Sequence, residues 1–193
     1  MKSFYMTTQS GVQFDLTYPE KTEIHIRDIA HSLARLCRFN GHTINLYSVA
    51  QHSVHVSELV ALTNPEFALD ALLHDAHEAY LGDLCGPIKE YLRYFSGDDQ
   101  PCQWDRLEAA FQTRIVEVFE LTSPEPSIVH EVDKRILSAE ATWQMPHQKW
   151  SLNRPTVQLR ATHCWNEMEA ARRFLDRFEY LAGVREAKRG AAG

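Results

Sequence analysis

The stretch Ala71-Leu72-Leu73-His74-Asp75-Ala76-His77-Glu78-Ala79-Tyr80-Leu81-Gly82-Asp83 concentrates the chemistry of this chain. An apolar run leads directly into four ionisable residues within five positions. Burying unpaired imidazole and carboxylate groups is costly, so a core helix does not ordinarily end this way. A divalent ion resolves the cost, because imidazole nitrogen and carboxylate oxygen both coordinate it directly. His74 and Asp75 are neighbours, so both reach one ion only from a helix end or its rim. Glu78 follows His74 by four residues and shares its helical face, one shell out from such an ion. His52, in the apolar context Val49-Ala50-Gln51-His52-Ser53-Val54, and Asp133, on the mostly apolar segment Ile128–Leu137, are the further candidate ligands. The competing readings are a capping pair for His74–Asp75, a satisfied core histidine for His52, and for Asp133 a solvated face with Lys134 and Arg135.

The elements that must position these residues are helical. Ile26, Ile29, Ala30, Leu33, Leu36 and Cys37 recur at i, i+3, i+4 spacing and predict an amphipathic helix over 26–38. The turn-prone cluster Arg38–Thr43 ends it. Ser48 is a good N-cap for a helix to about Leu62, and Asn64-Pro65 opens a third that ends near His74–Glu78. Gly82 and Gly86-Pro87 punctuate a loop before a short helix over 89–94. Residues 96–101 read as a linker, 102–120 as a helix, and Ser127 caps another to about Trp143. Residues 145–162 read as irregular. A last helix from about Trp165 to Leu181 ends at Gly183. Ahead of all this, Phe4–Thr8 and Val12–Leu16 flank Gln9-Ser10-Gly11 as a β-hairpin. The expected architecture is all-α with a small N-terminal β-hairpin: an appendage over 1–19, one helical domain over 20–183, and a flexible tail over 184–193.

Composition narrows the function. At 193 residues the chain buries a sizeable core as one domain. Its formal net charge of −6 argues against a nucleic-acid polymer as partner, which many Lys and Arg contacts would have to bind. No stretch approaches the ~20 apolar residues of a membrane span. Four scattered cysteines, without a C-x-x-C pair and with no signal-like N-terminus, read as reduced structural thiols of a cytoplasmic protein. Apart from His52 and His74, the histidines read as follows: His55 and His77 are not primary ligands, His42 lies in a turn near Arg38, and the rest are structural or surface.

The order His…His-Asp…Asp on successive helices, with Glu three residues after the first Asp, resembles the HD-domain phosphohydrolase superfamily. More narrowly, residues 26–180 resemble its 5′-deoxynucleotidases and the phage dATP triphosphohydrolases related to them. The resemblance implies metal ligation by His52, His74, Asp75 and Asp133, with Glu78 as catalytic carboxylate and Asp83 as a second carboxylate at the pocket edge. It implies phosphate or sugar contact by Arg38 and phosphate binding by Lys89. Phe39 stands where those nucleotidases typically carry Trp, which leaves base and sugar selectivity open. Phe39 and Tyr80 are expected to stack on a base, and His42 to touch substrate. One divalent ion (Mn, Co, Zn, Fe or Mg) is expected to acidify a water and polarise a phosphoryl oxygen, with Glu78 orienting the water.

Two substrates fit this pattern, a deoxynucleoside monophosphate losing its 5′-phosphate or a dNTP releasing triphosphate. No His occurs from Asp83 through Val129, which argues against a second tightly held ion. Alarmone hydrolases use an acidic pair where Glu78 is followed by Ala79. A non-catalytic, metal-containing nucleotide-sensing module is the alternative from another class. A homo-oligomer is expected.

Overall fold

The computed structural model describes residues 3–17, 19–97, 101–124, 126–145 and 163–192. Among them are eight α-helices and one two-stranded antiparallel sheet. Strands β1 (Tyr5–Thr7) and β2 (Gln13–Asp15) pair with Met6 opposite Phe14, which is the expected hairpin. Phe14 points inward and is fully buried. Ser10 in the turn donates from both its backbone N–H and its hydroxyl to Asp28. The hairpin is thereby tied to helix α1 (Ile26–Leu33), which buries Ile29, Ala30 and Leu33.

Helix α1 stops five residues short of the expected 38. Cys37 turns extended and forms a bridge with Ser48. Arg38 N–H then donates to the Tyr47 carbonyl at 2.9 Å, and Val49 N–H to that of Leu36 at 3.0 Å. Phe39 and Asn40 follow in left-handed conformations, with φ of 55° and 53°. Backbone pairing with the segment before the next helix has displaced the last helical turn.

Helix α2 (Val49–Ala61) starts where its cap predicts, with the Ser48 hydroxyl accepting from Gln51 N–H at 3.2 Å. It is buried along nearly its whole length, and α1, α3, α7 and α8 pack around it. A helix apolar or satisfied on all sides belongs in the middle of a bundle. The third predicted helix is divided: a 3-10 turn at Pro65–Phe67, α3 (Ala68–Leu72), a turn through residues 73–77, and α4 (Glu78–Leu81). That turn carries His74 and Asp75 to the helix end their adjacency demanded.

Helix α5 (Gly86–Ser96) takes Pro87 into its first turn, where a missing N–H costs nothing. Helix α6 (Gln103–Phe119) is capped by Cys102 and Asp105, each accepting from the other's backbone N–H. Helix α7 spans Ser127–Gln144, and Ser127 is its first helical residue rather than its cap.

Helix α8 (Glu167–Ala192) starts just after the predicted Trp165 but passes through Gly183 to Ala192, where the sequence had predicted a stop and a flexible tail. Its extension is held from outside. Arg185 donates to the Phe119 and Glu120 carbonyls at the end of α6, and Arg189 pairs with the Glu120 carboxylate at 2.6 Å. Those carbonyls lack helical partners of their own. Residues 98–100 of the predicted linker and 146–162 of the predicted irregular segment lie outside the described residues.

The apolar interior has two parts. The larger joins Phe14, α1, α2, α3, α6 and α8, and the smaller joins Val56, Val60 and Ala71 to Val129, Val132 and Ile136 of α7. The four cysteines are free. Among the described residues no helix is long and apolar enough to cross a membrane.

Candidate metal centre

Three elements bring the predicted ligands together. His52 comes from the middle of α2, His74 and Asp75 from the turn after α3, and Asp133 from the second turn of α7. Nε2 of His52 stands 3.4 Å from Nε2 of His74, 3.5 Å from Asp75 Oδ2 and 3.1 Å from Asp133 Oδ1. His74 Nε2 is 3.1 Å from the same Asp75 oxygen. Donor atoms about 2.1 Å from one ion, at angles of roughly 90–110°, stand ~3.0–3.4 Å apart. The group His52, His74 and Asp75 could therefore hold a metal ion, with ligand atoms all within 4.8 Å of one another.

Each imidazole is aimed by its other nitrogen. His74 Nδ1 donates to the Ala71 carbonyl at 2.8 Å, and His52 Nδ1 donates to Glu140 Oε1 at 2.7 Å. Both rings thus turn Nε2 toward the carboxylates, the arrangement a metal-ligating histidine needs. The electrostatics agree. Burial and the Arg38 guanidinium oppose a charge on His52, yet Glu140 and Asp133 prevail and raise its pKa to about 9. Burial disfavours ionised Asp75, but His74, His52 and Arg38 hold it well below the usual carboxylate range. The site is built to surround positive charge.

The other predicted residues fall in different places. Glu78 is buried three residues after Asp75, and its Oε2 has no hydrogen-bond partner among the described residues. Burial, then the charges of Asp75 and Asp83, push its carboxyl well above the usual range. Asp83 is half-buried, and burial raises it against the pull of Arg38. A cavity of about 630 Å³ opens beside His74, Asp75 and Asp133, and Lys89, Arg93 and His77 also line it. Arg38 does not line that cavity. Its guanidinium is buried, donating from Nε to Glu140 Oε2 at 3.0 Å, with Nη1 3.8 Å from Asp75 Oδ2. Phe39 lies half-buried against it, 5.7 Å from ring centre to guanidinium, and His42 is exposed. Tyr80 corrects an expectation: its ring stacks on Phe14 at 4.2 Å in the core, so that face is closed to a nucleotide base. The reason is spacing, since residues two apart on a helix do not share a face and Tyr80 follows Glu78 by two.

Sequence reading missed Glu140, Tyr47 and Gln112, and it set His55 aside as a primary ligand without seeing its bond to Tyr47. Glu140 is wholly buried, and burial is outweighed by Arg38, His52 and the Tyr47 hydroxyl, which bring it down to about 2. Tyr47 donates to Glu140 Oε1 at 2.7 Å and accepts from His55 Nδ1 at 3.0 Å. Gln112 donates to the Leu73 carbonyl and accepts from His77 Nδ1, bracing the turn that carries His74 and Asp75. The available signal for Glu140 was its place seven residues, two helical turns, after Asp133.

No family model matches the chain. An 88-residue stretch, 46% of this chain, is 48% identical to the uncharacterized protein YfdR of Escherichia coli (strain K12), covering 48% of that protein. A 95-residue stretch is 46% identical to the uncharacterized protein RCAP_rcc00048 of Rhodobacter capsulatus, covering 46% of this chain and 48% of that protein. The chain spans about half the length of the curated relatives it matches.

Proposed function

We propose that the protein is a phosphohydrolase of deoxynucleotides that works with one divalent ion held by His52, His74, Asp75 and Asp133. The observation that carries the reading is the convergence of two imidazoles and two carboxylates beside a cavity of about 630 Å³. That volume falls in the ~300–1,000 Å³ range of small-molecule sites. A bound divalent ion supplies Lewis acidity toward a phosphoryl oxygen and an acidified water near neutral pH. Glu78, buried with one oxygen unengaged, holds or moves a proton of the attacking water at Oε2. Lys89, at the cavity wall, offsets negative charge on the phosphoryl group. Arg38 adds positive charge behind Asp75. The deoxynucleotide class rests on the resemblance of the His…His-Asp…Asp pattern to the HD-domain nucleotidases and dATP triphosphohydrolases.

Between the two phosphate counts, charge balance favours the monophosphate. Lys89 and Arg93 are each already paired, with Glu108 at 2.8 Å and Asp105 at 2.7 Å. The cavity therefore offers little surplus positive charge for a triphosphate. Phosphate against tripolyphosphate release, measured over dNMPs and dNTPs with Mn²⁺, Co²⁺ and Mg²⁺, tests the proposal. Orthophosphate from dNMPs is the expected product, tripolyphosphate from a dNTP would reverse the choice, and no release from any nucleotide would reject the enzymatic reading in favour of a nucleotide-sensing module.

A further inference from the structure

We infer that Glu140 is a positioning residue that sets the aim of both His52 and Arg38, joining the metal side of the site to its cationic side. The inference rests on the metal-centre part of the function proposed above. Glu140 uses both oxygens. Oε1 accepts from His52 Nδ1 and from the Tyr47 hydroxyl, each at 2.7 Å, and Oε2 accepts from Arg38 Nε at 3.0 Å. A carboxylate with no exposure is tolerable only when fully satisfied in this way.

The division of labour between the two oxygens is what makes Glu140 a positioning group. A histidine offers Nε2 to an ion when its proton sits on Nδ1 and its ring is held in plane, and an anionic acceptor at Nδ1 does both. The other oxygen takes the Nε of Arg38, which leaves Nη1 of the guanidinium 3.8 Å from Asp75 Oδ2. Glu140 is itself fixed from behind. Tyr47 is wholly buried, its hydroxyl is oriented by His55, and its ring meets Trp143 edge-on at 5.6 Å. A purely structural ion pair between Arg38 and Glu140, 102 residues apart, would contribute stability alone. A positioning role must also move metal and phosphate affinity.

The test uses the full chain, stripped with a chelator and titrated with Co²⁺ while the visible d–d absorption is followed. Glu140→Gln keeps the shape but replaces one acceptor oxygen with a donor. It is expected to weaken Co²⁺ about 10- to 100-fold and to change the band shape. At saturating Co²⁺ it should also weaken inorganic phosphate about tenfold, through the loss of aim at Arg38. A destabilised control, Ile115→Ala in α6, should keep Co²⁺ affinity within about twofold of wild type while losing core packing. Wild-type Co²⁺ affinity and spectrum in Glu140→Gln overturn the inference, as does equal weakening in the control. Should Glu140→Gln fail to fold, Tyr47→Phe carries the test: about three- to tenfold weaker Co²⁺ supports it, and unchanged affinity overturns it. Wild-type protein that binds Co²⁺ but hydrolyses no nucleotide rejects the proposed function and leaves this inference standing.

Discussion

The buried imidazole of His55 gives the protein an acid-labile point. His55 sits on α2 one turn beyond His52, bonded through Nδ1 to Tyr47 and edge-on to Trp165 at 5.3 Å. Burial, aided by the charges of His52 and Arg173 and opposed by Glu140, lowers its pKa from 6.5 to about 4. The folded state thus binds this proton less tightly than the unfolded chain does. The His55 contribution to stability is constant above about pH 7, falls as pH drops below 6.5, and levels off below 4. At 1.36 kcal/mol per pKa unit the loss amounts to about 2 kcal/mol at pH 5 and about 3 kcal/mol below pH 4. The perturbation is His55→Asn, whose amide keeps a donor for the Tyr47 hydroxyl but does not titrate. Urea denaturation of both proteins in chelator, at pH 7, 6, 5 and 4, measures the difference in slope. The variant costs stability at pH 7, but its deficit should shrink by about 2 kcal/mol by pH 5. A deficit that stays constant from pH 7 to pH 4 would refute the reasoning, because the proton would then be taken up elsewhere.

Four further changes probe other parts of the fold and site. Glu78→Gln should lower kcat by about 10²–10⁴ while Co²⁺ titration shows the ion still bound; loss of the ion instead would make Glu78 a ligand. Phe14→Ala removes a fully buried ring stacked on Tyr80, so calorimetry should register about 3–5 kcal/mol of lost stability and a Tm lower by ~10 °C. A loss under about 1 kcal/mol would mean the hairpin does not anchor α4. Arg185→Ala should cost about 1–2 kcal/mol through the uncapped carbonyls of α6, whereas Arg189→Ala, at an exposed pair, should leave the denaturation midpoint unchanged.

What could be read in advance divides along sequence distance. The hairpin at Gln9-Ser10-Gly11 and the start of α2 at Ser48 announce themselves within four residues, because a turn or cap is satisfied by its neighbours. The end of α1 and the end of α8 do not. Cys37 leaves the helix to pair with Ser48, and α8 outruns Gly183 because Arg185 finds carbonyls more than 60 residues earlier. Two glycines in α8 cost roughly 1 kcal/mol each in helix propensity, and tertiary bonds override that penalty. The same rule separates the parts of the site. His74 and Asp75 stand out because four ionisable groups after an apolar run make a local conflict that only a cation or solvent resolves. Glu140 makes no local conflict: between Ala139 and Ala141 it reads as one more surface glutamate. Its meaning comes from His52, Tyr47 and Arg38, each about ninety residues or more away, which converge on it where it has no solvent exposure. Groups placed so that they could hold an ion can thus be read from their own local composition, whereas the groups that orient them are found only where the chain folds back.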